Sequence, residues 1–258
     1  MISLKMQNNL FSLKNKVILI TGSGRGIGEF LAENIAKEGA IVYRIDNKFS
    51  KKSKLTNLFD VICNVKNKQK IKKACDQIYK KHKKIDVLIN NVGITKSGKK
   101  GDFYSEKDWN ETIEVNLSSI FRISQIVIEY MIKKKKGVVI NITSLNAELA
   151  FPNNPAYVAS KGGLKQLGKA LARDWGNYGI RVNNLGPGYI KTQMTKDSFK
   201  DKKKKLTRQN STMLNRWGEI QDLLGPCIFL ASDASSYITG QDLYVDGGWS
   251  ANGLHADE

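Results

Sequence analysis

Short apolar runs alternate with amphipathic segments along this chain of 258 residues. An unbroken apolar run is typical of a strand that is buried on both faces of a parallel sheet, and the segments between the runs have helical periodicity. The predicted strands are Val17–Ile20, Ile41–Ile45, Val61–Val65, Val87–Ile89, Val138–Ile142, Ile180–Leu185 and Asp242–Val245. Because strands and helices alternate throughout, the sequence predicts the α/β class, with a single Rossmann-type doubly wound parallel sheet and helices on both faces.

The segments between the predicted strands hold the helices and one loop region. Helices are predicted at about Phe30–Gly39, Gln69–Lys81, Ser105–Met131, Pro155–Trp175 and Glu219–Leu230. Residues 191–216 are polar, rich in lysine and irregular in pattern, and we expect a lid over a substrate site at about 190–217. Since no repeat and no linker rich in Pro, Gly or Ser interrupts the chain, we expect one domain over residues 1–258.

The chain is strongly basic, with 42 Lys and Arg against 24 Asp and Glu and a net charge of +18. A nucleic-acid-binding domain usually gathers its basic residues on one element, with aromatic residues between them for stacking. Here the lysines form short clusters that are scattered along the chain and contain no aromatics. We interpret the charge as a solvated surface that attracts polyanions weakly, without a specific nucleic-acid partner.

The chain has few residues that suit disulfides or metal ions, with three Cys, two His and no Cys-x-x-Cys. The sequence therefore predicts no metal site and a reducing, cytoplasmic compartment. The first residues show no apolar core ahead of a cleavage site, and no apolar run has the length of a bilayer span. Neither a signal peptide nor a membrane is expected.

A glycine cluster, Thr21–Gly28, lies directly between the first predicted strand and the first predicted helix. Glycines there allow a tight turn and a close approach of the backbone to a pyrophosphate, which the helix N-terminus stabilises with free N–H groups and its dipole. The spacing is T-G-x-x-x-G-x-G rather than G-x-G-x-x-G. We expect a dinucleotide here, bound by Gly22, Ser23, Gly24, Arg25, Gly26, Ile27 and Gly28.

An acidic residue, Asp46, ends the second predicted strand, 18 residues after Gly28. Its carboxylate can accept hydrogen bonds from the adenosine ribose hydroxyls and would repel a 2′-phosphate, which favours NAD over NADP. Two basic residues act against this preference, since Arg25 and Arg44 could each pair with a phosphate. We expect NAD and keep NADP as the alternative.

Tyr157 and Lys161 begin the helix after the fifth predicted strand, and their i, i+4 spacing puts both on one helix face. A free tyrosine, with a pKa of about 10, is a poor base at neutral pH, and a nearby lysine cation favours the phenolate. Ser144 lies 13 residues before Tyr157, at the carboxyl end of the fifth strand. Open α/β sheets bind ligands at that end. Ser144 is therefore expected to hold a substrate oxygen while Tyr157 moves the proton.

Together these motifs resemble the short-chain dehydrogenase/reductase family over nearly the whole chain, from about Leu13 to Gly248. Asn90–Gly93 is similar to the N-N-A-G motif of the family, and Pro187–Thr192 is similar to its P-G-x-I-x-T segment. The resemblance implies hydride transfer between nicotinamide and a secondary alcohol or ketone. It implies a catalytic tetrad of Asn116, Ser144, Tyr157 and Lys161. It adds Asn64, Val65, Asn91, Gly93, Tyr157, Lys161, Pro187, Gly188, Ile190 and Thr192 to the cofactor site.

The resemblance also implies roles for individual residues. Lys161 lowers the pKa of Tyr157 and anchors the nicotinamide ribose, and Asn116 completes a proton path to solvent. One departure is Asn64, where many relatives carry an Asp that binds the adenine amino group, although an Asn oxygen can accept the same bond. The family usually forms tetramers, so a homotetramer built on the two long helices, about 105–131 and 155–175, is implied.

Several segments resemble a narrower branch, which contains gluconate 5-dehydrogenase and 2-deoxygluconate 3-dehydrogenase. They are Ser144–Ala150, Gly186–Tyr189 with Thr192, Arg216–Gly218, Phe229–Ser232 with Ala234, Ser235 and Tyr237, and Val245–Trp249. This likeness implies a sugar acid or polyol as substrate and a role in carbohydrate metabolism. The polar lid agrees, because a steroid or a long acyl chain would need an apolar wall.

We expect Lys96 to bind the substrate carboxylate, with Arg216 as the alternative and Ser144 and Asn146 as further substrate contacts. Each cation has a purely structural interpretation as well. Lys96 can be one more exposed lysine, and Arg216 can form an ion pair that closes the lid. Asn146, like Glu148 nearby, can simply cap a local turn.

Three other functions stay open. A 3-oxoacyl-[acyl-carrier-protein] reductase has an acidic partner that would suit the +18 charge, although such reductases usually use NADP. A catalytically idle cofactor-binding regulator and a nucleic-acid binder are more remote. Because all four tetrad positions are filled and no nucleic-acid reading element is visible, we predict an NAD(P)-dependent oxidoreductase that binds a small-molecule substrate.

Overall fold

The computed structural model describes residues 10–96 and 100–253. The strands of this part of the chain form one sheet of seven, in the order β3-β2-β1-β4-β5-β6-β7, with every neighbouring pair parallel. They are β1 (Val17–Thr21), β2 (Ile41–Asp46), β3 (Leu58–Ile62), β4 (Val87–Asn90), β5 (Gly137–Ile142), β6 (Ile180–Pro187) and β7 (Asp242–Val245). The predicted α/β class with a parallel Rossmann-type sheet is confirmed.

The helices cover both faces of this sheet. They are α1 (Gly26–Lys37), α2 (Lys68–His82), α3 (Glu106–Ile113), α4 (Ser119–Ile132), α5 (Pro155–Trp175), α6 (Lys196–Lys200), α7 (Lys202–Asn210) and α8 (Leu224–Ala231). Buried residues of α2, α4 and α5 belong to one core cluster, and those of α1 and α8 belong to the other. None of the helices in the described ranges is long and apolar enough to cross a membrane.

The central strand β1 shows how the apolar runs build two cores at once. Successive side chains of a strand point to opposite faces of the sheet. Val17 and Leu19 therefore pack in the cluster beneath α2 and α4, while Ile18 and Ile20 pack in the cluster beneath α1. All four side chains are fully buried, and each such burial stabilises the fold by about 1.5–3 kcal/mol.

The order of the strands reverses beside β1, which fixes where a ligand can bind. The chain builds β1, β2 and β3 outward on one side and then crosses to place β4 on the other side of β1. At such a switch point the loops after the two central strands diverge, and their carboxyl ends border a crevice. The glycine cluster follows β1 and the segment Asn90–Gly93 ends β4, so both motifs lie at this crevice.

The third strand lies earlier than the sequence predicted, at Leu58–Ile62 rather than Val61–Val65. Its start is fixed by Asn57, whose side-chain amide donates to the carbonyls of Ala36 and Ala40 at 2.7 Å each. Cys63 and Val65 are buried although they follow the strand, and they extended the apolar pattern beyond its end.

The lid region is more regular than its sequence indicated, since residues 191–216 contain the two short helices α6 and α7. Asp201 caps α7 by accepting a hydrogen bond from Lys204 N at 3.0 Å. Trp217 then joins the lid to the fold, because its indole N–H donates to Lys205 O at 3.0 Å and its ring is buried. A helix of lysines has no apolar periodicity, so pattern alone does not reveal it.

The long helical region predicted at Ser105–Met131 contains an interruption. A π-helical turn, Glu114–Ser118, joins α3 to α4. Such turns widen the helix by one residue and are frequent at functional sites. In this protein the turn contains the candidate catalytic residue Asn116.

Candidate active site

The glycine loop between β1 and α1 borders open space at the start of the helix. Gly22 and Gly26 both have φ of +63°, a conformation that side chains disfavour. A Cβ at Gly28 would lie 2.4 Å from the amide nitrogen of Asn91, whereas a Cβ at Gly26 would meet no atom within 4 Å. The backbone at Gly26 is thus accessible beside the N-terminus of α1, which is the arrangement that a pyrophosphate requires. Arg25 and Ile27 flank it.

Two side chains hold this loop in place from below. The buried Ser23 hydroxyl donates to Ile20 O at 2.6 Å and accepts from Ile45 N at 3.0 Å, which ties β1 to β2. The amide of Asn91, after β4, donates to Gly22 O at 2.6 Å. Because both hydrogen bonds of the Ser23 hydroxyl are made within the protein, a cofactor can contact only the backbone at that position. Asn91 lies beneath the loop as a positioning residue.

Asp46 lies at the carboxyl end of β2, next to the glycine loop. Its two carboxylate oxygens accept hydrogen bonds from Gly24 N at 2.8 Å and from Asn47 N at 2.7 Å. These bonds fix the carboxylate where the adenosine ribose of a dinucleotide lies in this kind of fold. A 2′-phosphate on that ribose would meet a negative charge.

Arg44, one of the two cations that could pair with a phosphate, is fully buried. Its Nε donates to Asp60 at 2.7 Å, its Nη2 donates to Lys51 O at 3.2 Å, and its guanidinium lies 4.8 Å from the ring centroid of Phe49. Because Asp60 already neutralises this charge, a phosphate gains little from it. Arg25 is exposed at the N-terminus of α1.

The remaining residues predicted for the adenine and ribose side follow β3 and β4. Asn64 is exposed and its side-chain oxygen accepts from Lys66 N at 2.9 Å, while Val65 is buried beside it. A Cβ at Gly93 would lie 3.5 Å from Lys161 Nζ. Glycine at this position therefore leaves space next to the lysine ammonium.

The segment after β6 is held firmly at the nicotinamide end of the crevice. Pro187 ends the strand, and Gly188 packs so closely on the residue after β7 that a Cβ would lie 2.7 Å from a backbone atom. Ile190 is buried. The backbone N–H of Thr192 donates to Thr195 Oγ1 at 3.0 Å, and the two hydroxyls are 3.3 Å apart. The segment thus has a fixed shape before any cofactor binds.

Asn116, in the π-helical turn, links the loop after β4 to helix α5. Its side-chain oxygen accepts from Ile94 N at 2.8 Å, and its amide donates to Ile94 O at 2.9 Å and to Ser160 Oγ at 3.1 Å. The residue is fully buried. These bonds place Asn116 behind Lys161, since Ser160 precedes that lysine on α5.

Tyr157 and Lys161 lie one turn apart in the first half of α5. The Lys161 ammonium donates to Ile142 O, at the end of β5, at 2.7 Å and lies 5.7 Å from the ring centroid of Tyr157. Ser144, two residues after β5, has a nearly buried side chain that contacts the Tyr157 hydroxyl. The structure therefore brings Ser144, Tyr157 and Lys161 together at the carboxyl end of β5.

Burial is the main influence on the two titratable groups of this cluster. Burial raises the pKa of Tyr157, while the hydrogen bond with Ser144 acts in the opposite direction and nearby Tyr189 adds to the rise. Burial lowers the pKa of Lys161 to about 8. The sequence predicted a lysine that favours the phenolate. In the structure without cofactor, desolvation instead keeps Tyr157 protonated, so it is ready to donate a proton.

The two cations predicted to bind a substrate carboxylate both have protein partners. Lys96 pairs with Glu111 at 3.2 Å. Arg216 forms a two-pronged ion pair with Asp222, with distances of 2.7 and 3.1 Å. The structure therefore favours the alternative that we had kept for Arg216, an ion pair that closes the lid, and gives Lys96 a partner that competes with a substrate.

The polar residues after Ser144 also have local roles. Asn146 N donates to Ser144 Oγ at 3.1 Å, and the Ser144 hydroxyl donates to the Asn146 side-chain oxygen at 3.1 Å. Asn146 thereby orients the hydroxyl of Ser144. Glu148 pairs with Lys165 and accepts a hydrogen bond from Tyr244 at 3.1 Å, which lowers the pKa of Glu148 and removes it from consideration as a free acid.

Sequence reasoning missed an aromatic cluster formed by Phe151, Tyr189, Trp217 and Trp249. The Tyr189 ring centroid lies 5.2 Å from that of Trp249, 5.4 Å from that of Trp217 and 5.8 Å from that of Phe151. Only Trp217 belongs to the lid, so the polar composition of the lid does not describe the aromatic surface beside it and does not argue against an apolar substrate. The four residues are distant along the chain, so no periodic pattern links them. A fifth residue, Arg208, lies over Tyr189.

The residues of the crevice fit a nicotinamide dinucleotide. A glycine-lined helix start, a carboxylate at the end of β2 and a buried lysine beside a glycine match the pyrophosphate, the adenosine ribose and the second ribose in turn. Among the residues that the structure describes, no cluster of three or more His, Cys, Asp or Glu side chains is placed to hold a metal ion.

Comparison with known proteins agrees with this geometry. A family profile described as enoyl-(acyl carrier protein) reductase matches residues 22–250. The chain is 38% identical over 250 residues to the 5-keto-D-gluconate 5-reductase of Escherichia coli K12, which covers 93% of this chain and 98% of that protein. It is 35% identical over 248 residues to the gluconate 5-dehydrogenase of Gluconobacter oxydans, covering 93% and 96%.

A solved structure leads to the same family. The crystal structure of a gluconate 5-dehydrogenase from Burkholderia cenocepacia, in complex with NADP and tartrate, superposes with a TM-score of 0.90. It is 35% identical to this chain and covers 95% of it and 99% of the other chain. With its sheet order, its glycine loop and its Ser144–Tyr157–Lys161 cluster, this chain belongs to the short-chain dehydrogenase/reductase family of oxidoreductases.

Proposed function

We propose that this protein is an NAD(P)-dependent dehydrogenase of the gluconate 5-dehydrogenase type, which interconverts a sugar acid or a related polyol with its keto form. The observation that carries the chemistry is the contact between Ser144, Tyr157 and Lys161 at the carboxyl end of β5. The substrate class is supported by the relatives, which are named for gluconate and 5-keto-D-gluconate.

The protein side chains divide the work of proton transfer. A bound nicotinamide dinucleotide supplies the hydride donor or acceptor. The Ser144 hydroxyl turns its hydrogen from the Asn146 oxygen to the substrate oxygen and donates a hydrogen bond to it. Tyr157 gives its proton to that oxygen in reduction and removes it in oxidation. Lys161 stabilises the phenolate that reduction leaves behind, and Asn116 holds the backbone at Ile94 so that water can reach Lys161.

NAD is the proposed cofactor, and NADP is the alternative. Asp46 supports NAD because its fixed carboxylate would repel a 2′-phosphate, and Arg44 cannot offset that charge while it pairs with Asp60. NADP is supported by the Burkholderia structure, which contains it. Fluorescence titration with NADH and NADPH separates the two, and tighter binding of NADPH would overturn the assignment and point to Arg25.

A substrate panel tests the proposed activity. Purified enzyme is assayed with gluconate, 5-keto-D-gluconate, simple polyols and acetoacetyl thioesters, each with both cofactors. Turnover of gluconate or a keto-gluconate is the expected result. Activity restricted to the thioesters would instead establish a 3-oxoacyl-[acyl-carrier-protein] reductase, a function that the acyl-carrier description of the matching profile and the +18 charge favour.

The chain is proposed to work as a cytoplasmic homotetramer with one domain per subunit. One continuous sheet with a core on each face supports the single domain, with the lid at about 190–217. Phe121 of α4 and Trp109 of α3 are exposed aromatics on the helical region that tetramers of this family pack together. Light scattering coupled to size exclusion measures the mass, and a monomer would contradict the assembly.

A further inference from the structure

One arginine of the lid has a hydrogen bond with Tyr189 but leaves another N–H group buried without a partner. Arg208, in the last turn of α7, has its guanidinium carbon 4.1 Å from the ring centroid of Tyr189 and 5.9 Å from that of Trp217. Its Nη1 is buried and makes no hydrogen bond, and no described acid pairs with it. A buried N–H without an acceptor costs about 1–3 kcal/mol, which a ligand can recover.

Three other cations that a substrate carboxylate could use already have carboxylate partners. Lys96 pairs with Glu111, Arg216 with Asp222, and Lys191 with Glu219. A substrate carboxylate would have to displace a protein carboxylate from any of these. At Arg208 it would displace no described carboxylate, because the guanidinium lies against the rings of Tyr189 and Trp217 and its Nη1 makes no hydrogen bond.

Tyr189 connects Arg208 to the reacting centre. The phenol of Tyr189 lies close enough to Tyr157 to raise its pKa, and Arg208 in turn lowers the pKa of Tyr189 against the larger effect of burial. Tyr189 therefore neighbours both the Arg208 guanidinium and the phenol of Tyr157, which puts Arg208 near the reacting centre.

We propose that Arg208 binds the carboxylate of the substrate and is the residue that selects sugar acids over neutral ketoses. This inference rests on the proposed function. A guanidinium N–H gives a charge-assisted bond to a carboxylate, and the surrounding aromatic rings exclude water, which strengthens it.

The test compares a charged and a neutral substrate in one variant. In Arg208→Gln the KM for 5-keto-D-gluconate is expected to rise by about 10- to 100-fold, the loss of one charge-assisted hydrogen bond, while kcat changes little. The KM for an uncharged ketohexose should stay the same. Arg208→Lys keeps the positive charge but loses the planar guanidinium, so the KM for 5-keto-D-gluconate should rise less. Lys203→Gln, which removes an exposed charge from the same helix, serves as the matched control and should leave both KM values unchanged.

A binding measurement separates this inference from the proposed function. Calorimetric titration of the NAD-loaded enzyme with tartrate, an unreactive acid, should show binding that Arg208→Gln weakens and Lys203→Gln does not. If the wild type turns over thioesters only but loses tartrate binding in Arg208→Gln, the proposed function fails and the carboxylate site stands.

If Arg208→Gln keeps both the substrate selectivity and the tartrate affinity, the carboxylate site is overturned while the activity stands. A wild type that binds neither acid overturns both. Circular dichroism and NADH affinity establish that each variant is folded. Should Arg208→Gln fail to fold, the same comparison is made with Arg208→Lys, where unchanged KM and tartrate affinity would contradict the assignment.

Discussion

Tyr157 and Lys161 are buried side by side, and burial moves their pKa values in opposite directions. It raises the pKa of the phenol and lowers that of the ammonium to about 8. Both shifts favour the neutral forms, because the low-polarity surroundings destabilise charge. A neutral phenol donates a proton but cannot remove one. The site is therefore prepared for ketone reduction at neutral pH.

The pH dependence should differ between the two directions. Reduction needs protonated Tyr157, whose raised pKa keeps it so at neutral pH, and its kcat/KM should stay level and fall only at alkaline pH. Oxidation needs the phenolate, so its kcat/KM should increase with pH. Initial rates in both directions from about pH 6 to about pH 10 measure this. A reduction rate that increases steadily with pH would contradict the role of Tyr157.

Tyr157→Phe removes the transferable proton without changing the packing. We expect kcat to fall by about 10²- to 10⁴-fold, the usual contribution of a general acid or base, while NADH affinity is retained. Stopped assays and fluorescence titration measure the two quantities. Tyr178→Phe, at an exposed tyrosine after α5, is the control and should behave as wild type. Near-normal turnover in Tyr157→Phe would refute the mechanism.

Asp46→Asn tests the charge that disfavours NADPH. The amide can still accept a hydrogen bond from Gly24 N, so the loop should keep its shape while the repulsion of a 2′-phosphate is lost. NADPH affinity is expected to increase by roughly 10-fold, or about 1.4 kcal/mol, with less change for NADH. Asp174→Asn, an exposed site on α5, is the charge-matched control. Equal affinities in wild type and Asp46→Asn would contradict the role of Asp46.

At the scale of elements, two of the three glycines in helix α5 have opposite surroundings. A Cβ at Gly168 would lie 2.3 Å from the side-chain oxygen of Asn184. That oxygen accepts a hydrogen bond from Asn141, and the amide nitrogen of Asn184 donates to Asp242. Gly162 has no atom within 4 Å of the same position. Close packing of α5 on β6 therefore depends on Gly168 and not on Gly162.

Gly168→Ala should lower the free energy of unfolding by about 1–3 kcal/mol, because the methyl group forces the helix from the strand. Gly162→Ala should raise it by about 0.5–1 kcal/mol, since alanine favours the helix and has room. Urea unfolding followed by circular dichroism compares the two. Equal stability of both variants would contradict the packing described for α5.

Element positions followed from sequence wherever a periodic pattern was present. The bounds of α5 agree with the prediction because buried residues recur at helical spacing, and those of β7 agree although its four residues are only half-buried. The pattern misplaced β3, because the residues after the strand are buried by tertiary packing. It did not reveal α6 and α7, because a lysine-rich helix has no apolar periodicity and depends on local capping. The residue types of the catalytic cluster were also predictable from spacing. The unpartnered Nη1 of Arg208 was not predictable, because pairing is decided by residues far apart in sequence.

The whole molecule carries its excess charge on lysines, and many of those in the described part of the chain are exposed. The positive electrostatic field of these lysines attracts anionic ligands, over a distance that shortens as the ionic strength rises. Raising NaCl from about 0.05 to about 0.5 M should therefore raise the KM for a sugar acid several-fold and leave that for a neutral ketohexose unchanged. Steady-state kinetics at fixed pH measure both. Equal salt dependence for the two substrates would show that the field does not act on the substrate.

The support of the glycine loop determines when its conformational entropy is lost. Ser23 and Asn91 hold the loop in shape through bonds to β1, β2 and the loop backbone, and these bonds form as the chain folds. The entropy of ordering the glycine loop is therefore lost when the protein folds. Cofactor binding does not lose it again, so it does not weaken the affinity for the cofactor. A substitution such as Asn91→Ala would consequently appear first as a lower melting temperature of the cofactor-free protein.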